Sequence, residues 1–377
     1  MPSHSLLFLP LFRHRSYQTS GSLSVMAWKR FRKDGVAMIS LCFIGVAVLA
    51  GILAYLITPD ETPFANKQFL ELGTLKPGTK VLMLSIDKQD SVAKLSWWRK
   101  MIAGQKSRKT EIPLNRYEIR NGVLHAETYT GIEGERGEAI VMETGRKGFS
   151  IDEKRYWLGT DRYGRDVLSM LVIGTRVSLS VGFISVLISL VLGISLGAIA
   201  GFFRGWADQL IMWLINVVWS IPTLLLVIAI TFALGRGFWQ VFIAVGLTMW
   251  VEVARIVRGQ ILGIREKEYV EAARALGFSN TRIIIRHILP NAMSPVIVIS
   301  AANFASAILL EAGLSFLGIG VQPPMPSWGS MIRDNYPYII LDAAYLAILP
   351  GLAIMLMVLA FMLVGNGLRD ALDVKAK

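Results

Sequence analysis

Hydrophobic residues in this chain occur in long, nearly continuous runs, and the short periodic patterns of water-soluble helices and strands are rare. A helix needs about 20 apolar residues to cross a hydrocarbon layer about 30 Å thick. Six runs approach or exceed this length, and each is apolar around most of its circumference, as contact with lipid and neighbouring helices requires. The predicted membrane spans are Val36–Thr58, Val177–Phe203, Gln209–Leu234, Phe238–Ala254, Ala292–Gly318 and Ala343–Val364.

Residues 59–157, between the first two runs, have a different pattern that favours strands. The stretch Asn115–Gly131 contains two alternating runs around Asn121 and Gly122, the residue pair most typical of a type I′ hairpin. The other predicted elements are a strand at Thr79–Ile86, an amphipathic helix at Trp97–Lys109 and a strand at Glu138–Gly145. We therefore expect a small β-rich insertion. It is either a decorative loop domain or a docking surface, and nothing in its sequence indicates chemistry.

The composition supports a membrane protein. Of the 377 residues, 53% are hydrophobic and 18% are charged, and the mean hydropathy is +0.51. The net charge is +12, but residues 59–170 hold 19 Lys and Arg against 16 Asp and Glu, while the rest holds 20 against 11. Most of the excess positive charge thus belongs to the membrane part and its faces. The positive-inside rule explains this basicity, so the sequence does not predict nucleic-acid binding.

The basic residues also predict the orientation of the chain in the membrane. Trp28–Gly35, before the first span, reads WKRFRKDG. The connection between spans four and five carries seven basic residues: Arg255, Arg258, Arg265, Lys267, Arg274, Arg282 and Arg286. The short loops on the opposite side carry little beyond Arg236 and Arg333. Six spans with both termini in the cytoplasm fit this distribution. Residues 1–25 are predicted to be disordered, and we expect translation to start at Met26.

Motifs for catalysis, metals and cofactors are missing from the sequence. It contains no G-x-x-x-x-G-K-[ST] phosphate loop, no H-E-x-x-H helix and no G-x-S-x-G elbow, so neither an enzyme nor a bound cofactor is predicted. Its four histidines do not cluster at ligand spacings, and the single Cys42 cannot form an internal disulfide. Glu311 is the main intramembrane charge, and we expect it to face protein or water. We favour a structural or conformational role for Glu311 over direct contact with a substrate.

Two features of the apolar runs predict how the helices pack. Gly193, Gly197 and Gly201 recur every four residues, which places them on one helix face where another helix can approach closely. Pro222 lies inside the third run, where its missing N–H predicts a kink.

The polar segment Glu268–Asn291 interrupts two apolar runs on the predicted cytoplasmic side. Its pattern predicts a short helix up to Leu276 that Gly277 ends by adopting a positive φ. A second helix follows, and Pro290 is expected to stop it just before the fifth span. Such a rigid bent finger can transmit force from a partner that pushes on it. The simpler interpretation is a solvated loop, but loops are seldom so rich in helix-forming residues.

The sequence of this finger, EAARALGFSNTRIIIRHILP at Glu271–Pro290, resembles the EAA loop of ABC importer permeases. Two further stretches, Leu158–Gly182 and Glu311–Ile332, resemble signatures of the C-type subunit in the dipeptide/oligopeptide/nickel branch. His287 replaces the usual isoleucine of the loop, and the insertion is longer than expected for the family. The residues that match the loop pattern are Glu271, Ala272, Ala273, Gly277, Leu289 and Pro290.

The resemblance implies an all-α polytopic membrane protein with the six transmembrane helices of the ABC type I importer permease fold and an inserted β-rich extracytoplasmic domain. The implied organisation is a cytoplasmic tail at 1–35, a first transmembrane helix at 36–58, the insertion at 59–157, a five-helix permease core at 158–368 with a coupling loop at 265–290, and a cytoplasmic tail at 369–377. It also implies the bacterial cytoplasmic (inner) membrane.

The resemblance further implies the partners and the mechanism. A sibling B-type permease, two cytoplasmic P-loop ATPases and an extracytoplasmic substrate-binding protein would complete the importer. The Glu271–Gly277 helix would seat in an ATPase groove, with Ala272 and Ala273 allowing close approach, and the pathway would open by alternating access. Peptides are the commonest cargo of the family, but nickel and other small solutes occur. The sequence leaves the cargo and the residues lining the cavity open.

Two alternatives belong to other functional classes. The chain can be a membrane-anchored sensor or assembly protein that acts through its extracytoplasmic domain. It can also be an ion-driven secondary transporter, which is disfavoured because such carriers need no ATPase docking loop and more intramembrane ionisable groups than Glu311.

Overall fold

A computed structural model describes residues 23–88, 95–132, 135–143, 149–235 and 237–373. The predicted disorder of residues 1–25 falls mostly outside the described residues, which begin at Leu23. The predicted loop position of Arg236 falls wholly outside them. The helices are α1 (Leu23–Phe31), α2 (Gly35–Ile52), α3 (Ala54–Ile57), α4 (Trp97–Ala103), α5 (Val167–Phe203), α6 (Gly205–Trp219), α7 (Thr223–Leu234), α8 (Phe238–Ile264), α9 (Glu268–Ala275), α10 (Asn280–Ile283), α11 (Leu289–Phe316), α12 (Trp328–Asn335) and α13 (Tyr345–Leu372). The strands are β1 (Lys80–Asp87), β2 (Lys109–Arg120), β3 (Val123–Thr128), β4 (Ala139–Glu143) and β5 (Phe149–Arg155). A π-helical turn occupies Ile284–Ile288, and 3₁₀ turns occupy Pro63–Ala65, Leu70–Leu72 and Tyr336–Ile339.

Five of the described helices, α2, α5, α8, α11 and α13, are long and apolar enough to cross a membrane. The pair α6 and α7 meets that criterion only when the two helices are taken together. Gly193 of α5 lies beside Trp250 and Gly201 lies beside Arg258, so α5 and α8 run in the same direction. The chain between two parallel spans must return across the bilayer, and α6 and α7 therefore form the sixth crossing. The described helices thus give five spans, or the predicted six when α6 and α7 are counted together as one broken span.

The third span is broken, although the sequence predicts one continuous helix at Gln209–Leu234. Its two halves meet at 96°, and Pro222 precedes the first residue of the second half. Pro222 adopts φ −55° and ψ 125°, which is outside the helical region. Because proline cannot donate a backbone hydrogen bond, a helix separates at low cost there. The kink is thus confirmed in position, but it is a complete break between two helices.

The glycine face of α5 packs against α8 as predicted. A Cβ on Gly197 would lie 2.5 Å from the carbonyl oxygen of Ala254, and one on Gly193 would lie 2.5 Å from the Cβ of Val253. At these distances a Cβ at either position would force α5 and α8 to shift apart. The backbones of α5 and α8 approach so closely because these positions are glycine.

Several spans extend beyond their predicted ends because polar residues continue the helices. α5 begins at Val167, ten residues before the expected Val177, since the Asp166 carboxylate caps it by accepting from the backbone N–H of Ser169 at 2.8 Å. α8 continues to Ile264, past Arg258, whose guanidinium forms a bidentate ion pair with Asp208 of α6. Basic residues at this end of α8 are therefore part of the helix, where the sequence suggested a loop.

The segment between α3 and α5 contains a five-stranded antiparallel sheet with strand order β4-β3-β2-β1-β5. Asn121 and Gly122 join β2 to β3 with φ of 50° and 75°, so the predicted hairpin turn is confirmed. The predicted strand at Thr79–Ile86 corresponds to β1. The predicted helix at Trp97–Lys109 is shorter, because α4 ends at Ala103, before Gly104 with its φ of 73°.

Contacts between distant parts of the chain define two ends of the helical bundle. Both described termini meet at one end, where the Arg30 guanidinium donates to the backbone oxygen of Asp373 at 3.1 Å. The sheet segment lies at the other end, where the Tyr345 hydroxyl, at the start of α13, donates to the carbonyl of Leu75 at 2.7 Å. The polar finger between α8 and α11 therefore lies at the same end as the termini.

Candidate coupling site

Helix α9 is the first arm of the finger, and it is anchored by one narrow face. Val270 and Ala273, three residues apart, are buried against the ends of the neighbouring spans. Their partners include Ile261 of α8, which is fully buried. Apolar contacts on one face fix the position of the helix, and its other faces remain exposed.

The turn after α9 is a Schellman motif centred on Gly277. The Phe278 N–H donates to the carbonyl of Ala273 at 3.1 Å, and the Gly277 N–H donates to that of Arg274 at 2.9 Å. Gly277 has a φ of 75°, which glycine adopts without steric cost. The Phe278 ring then stacks near His287 and lies 4.1 Å from the guanidinium of Arg282. The turn is therefore held by both backbone bonds and ring contacts.

The second arm is not a separate helix, so the expected stop at Pro290 is wrong. α10 passes through the π-helical turn directly into α11, and the Leu289 N–H donates five residues back to Ile284. Pro290 follows the π-helical turn almost directly, and the wider spacing of that turn accommodates the proline without ending the helix. The Asn291 side chain donates to the His287 carbonyl at 2.8 Å. The finger is consequently continuous with a membrane-spanning helix.

The acidic and basic residues of the finger differ in how they contact the rest of the described chain. Glu268 and Glu271 are exposed in the first turn of α9, where the helix dipole favours them. Neither forms an ion pair within the part of the chain that the structure describes. By contrast, the guanidinium of Arg274 lies 5.3 Å from the ring centre of Phe202. Burial, together with the nearby charges of Arg204 and Arg274, lowers the pKa of Arg265. The outer acids are thus available to a basic partner.

The predicted coupling residues differ in position and exposure. Glu271, Ala272 and Gly277 are exposed, and so is neighbouring Leu276 with 73% of its surface accessible. Ala273 is buried within the chain, so it serves the packing of α9 against its own spans. The remaining two predicted residues lie at the start of α11: Leu289, half-buried, and Pro290, exposed.

Glu311 lies far from the finger, near the opposite end of α11. It is fully buried on α11, and its carboxylate accepts hydrogen bonds from Ser178 of α5 at 3.2 Å and from Ser315 at 2.7 Å. The Glu311 carboxylate thus links α11 to α5 through its hydrogen bond with Ser178. This arrangement supports a structural role, since the buried carboxylate is held by hydroxyl groups of two packed helices.

Sequence reasoning missed two polar residues of the membrane region, Glu252 on α8 and Asn303 on α11. Both line a cavity of about 320 Å³ beside the break between α6 and α7. Glu252 stands within the apolar stretch GLTMWVEVA, which could have marked it as an intramembrane charge. Their convergence could not be read from the sequence, because it depends on how each helix is rotated.

Two protein-family models match the chain. Residues 193–377 match the binding-protein-dependent transport system inner membrane component, and residues 22–77 match the N-terminal transmembrane domain of oligopeptide transport permease C. All five strands lie between these two matched regions.

Similar curated proteins are permeases. The chain is 44% identical over 222 residues to the glutathione transport system permease protein GsiD of Pectobacterium atrosepticum and to the dipeptide transport system permease protein DppC of Alkalihalophilus pseudofirmus. Each alignment covers 59% of this chain and 73% of the relative. The di/tripeptide permease DppC of Pseudomonas aeruginosa is 45% identical, over 60% of this chain and 74% of its own. Among solved structures, an inward-facing MetNI methionine ABC transporter chain matches with a TM-score of 0.45 and 20% identity, over 54% of this chain and 96% of that one.

Proposed function

The chain belongs to the binding-protein-dependent transport system inner membrane component family, and we propose that it forms half of a transmembrane pathway for peptides. ATPases that bind helix α9 would drive transport through this pathway. It is a membrane-spanning permease subunit of an ABC importer and not an enzyme. Permeases of this family act in general with an ATPase, a second permease and a substrate-binding protein. We further propose which surfaces of this chain contact those partners and which cargo the chain transports.

The main support for the proposal is that one face of α9 packs against the spans while its other faces are exposed. Its inner face is fixed by Val270 and Ala273, while Glu271, Ala272 and Leu276 are exposed. The finger joins α8 on one side and continues without a break into α11 on the other. A partner that displaces α9 must therefore move two spans, which is the mechanical requirement for driving alternating access.

The distribution of charge and contacts supports an orientation. The finger, its basic residues and both termini share one end of the bundle, which we assign to the cytoplasm by the positive-inside rule. The sheet segment, residues 59–157, then forms an extracytoplasmic domain at the other end, where it can contact the substrate-binding protein. The bundle as a whole is proposed to have the ABC type I importer permease fold in the bacterial inner membrane.

Peptides are the proposed cargo because the similar permeases are named for dipeptides, di/tripeptides and glutathione, which is itself a peptide. The sibling B-type permease would supply the other half of the pathway. Two P-loop ATPases would bind beneath the pair, one against α9 of this chain.

Cysteine cross-linking tests the coupling assignment. In a Cys42→Ala background, cysteines are introduced singly at Ala272 and Leu276 and labelled with a thiol reagent that carries a photoreactive group, and the intact importer in its membrane is then irradiated. The control is Ile340→Cys, which is 90% exposed but lies near the opposite end, between the α12 region and α13. We expect ATPase adducts from positions 272 and 276 and none from position 340. Adducts missing from both finger positions, in an assembled importer, would contradict the assignment.

A further inference from the structure

The cavity beside the broken span lies within the membrane-spanning region. Its lining comes from the end of α6, the start of α7 and the facing parts of α8 and α11. Glu252 is 14 residues into α8, roughly 21 Å along a helix that rises about 1.5 Å per residue. The cavity is therefore near the middle of that span, at a depth that any transported molecule must cross.

Glu252 is an exposed carboxylate at this depth. It forms no ion pair among the residues that the structure describes. A charge facing lipid at mid-span is strongly unfavourable, so this side of α8 must face water or another protein. The neighbouring cation, Arg255, lies 3.9 Å from the ring centre of Trp219. Glu252 thus remains available to a cation from outside the chain.

Asn303 provides a second, independent indication of a ligand. Its side chain is 2% exposed, and its buried Nδ2 has no hydrogen-bond partner among the described residues. It lines the same cavity as Glu252. A buried amide donor without an acceptor costs free energy unless an acceptor arrives during function. The cavity therefore offers one anionic group and one unsatisfied donor.

The remaining lining suits an amphipathic solute. Trp219, Leu309 and Leu310 contribute apolar surface, whereas Thr223 and Ser306 contribute hydroxyls. Mixed linings with a few placed polar groups are typical of small-molecule sites. The cavity also adjoins the break at Pro222, so a change in the angle between α6 and α7 alters its shape.

We propose that this cavity is a cargo subsite in which Glu252 receives the ammonium group of a peptide and Asn303 donates to a peptide carbonyl. The assignment rests on the proposed function as a peptide permease. Trp219 and the two leucines contact the first side chain of the cargo. The contact is transient, because a transporter must release its cargo after the cavity reorients.

The test uses the complete importer, purified with its ATPases and sibling permease and reconstituted in liposomes with the substrate-binding protein and ATP. The probe is L-alanyl-L-alanine, whose ammonium is its only cation at neutral pH. Glu252→Gln keeps the size of the side chain and removes its charge, and Glu252→Asp keeps the charge. Asp370→Asn is the matched control, because it neutralises an exposed carboxylate on the last turn of α13, outside the cavity. ATPase activity and subunit stoichiometry are measured on the same samples.

We expect Glu252→Gln to lower the initial uptake rate about tenfold with assembly retained, Glu252→Asp to lower it less, and Asp370→Asn to match the wild type. Equal uptake by the Gln variant and the wild type would overturn the subsite. Loss of the sibling permease from the Gln variant would also overturn it, since Glu252 would then be an interface residue. If the assembled wild-type importer takes up no peptide, the proposed function itself fails, a result distinct from both.

Discussion

Replacing Gly277 tests whether the turn after α9 must keep its left-handed conformation. The residue has a φ of 75°, and a Cβ built on it meets no atom within 4 Å. A substitution therefore causes no clash, and its cost is the conformational strain of a side chain at positive φ. That strain is about 1–2 kcal/mol for an ordinary L-residue, larger for a β-branched one and smaller for asparagine.

Strain of this size is large enough to cause a measurable loss of coupling between the ATPases and transport. A cost of 1–2 kcal/mol in the docked conformation lowers its population about 5- to 30-fold. Because the cost is local, α8 and α11 should still insert and pack. We expect Gly277→Asn to retain most of the transport rate, Gly277→Ala to lose part of it, and Gly277→Val to lose it almost entirely.

The assay measures dipeptide uptake beside the amount of chain in the membrane and the amount of ATPase that co-purifies with it. Gly263→Val is the control, because Gly263 lies on α8 with open space around it and no positive φ. The order Asn, Ala, Val at equal expression would support the reasoning. Normal uptake by a well-expressed Gly277→Val variant would refute it, as would an equal loss in Gly263→Val.

Three further predictions concern other parts of the chain. Glu271→Lys reverses a charge on the exposed face of α9 and should weaken ATPase association, measured by co-purification; unchanged recovery would remove Glu271 from the coupling site. Gly197→Ala places a Cβ 2.5 Å from a backbone oxygen of α8 and should destabilise the protein by about 1–3 kcal/mol, seen as a lower Tm in detergent, whereas Gly45→Ala, in open space, should not. Glu311→Ala removes the acceptor of two buried hydroxyl donors and should lower the Tm more than Glu311→Gln; equal values would exclude the hydrogen-bonding role.

Features set by local chemistry could be predicted from the sequence. The long apolar spans follow from the length of the apolar runs, and the hairpin at Asn121 and Gly122 follows from their tolerance of positive φ. The glycines at positions 193, 197 and 201 correctly indicated a close helix contact. In each case a few neighbouring residues determine the structure without help from the rest of the fold.

Features that depend on tertiary packing could not be predicted. Pro222 removes one hydrogen bond, but the 96° angle is determined by what α6 and α7 pack against. Pro290 suggests a helix end, yet a π-helical turn and the Asn291 side chain accommodate it. Ala273 looks equivalent to Ala272 in the motif, but helix rotation buries one and exposes the other. The cavity of Glu252 and Asn303 likewise requires the rotation of two helices.

The most direct test of the account is affinity purification of the tagged chain from its native membrane in mild detergent, followed by identification of the proteins that remain bound. We predict recovery of a second six-span permease and of P-loop ATPases in amounts comparable to the chain. Recovery of the chain alone, folded and without any ATPase, would contradict the central claim and leave the exposed face of α9 without a partner.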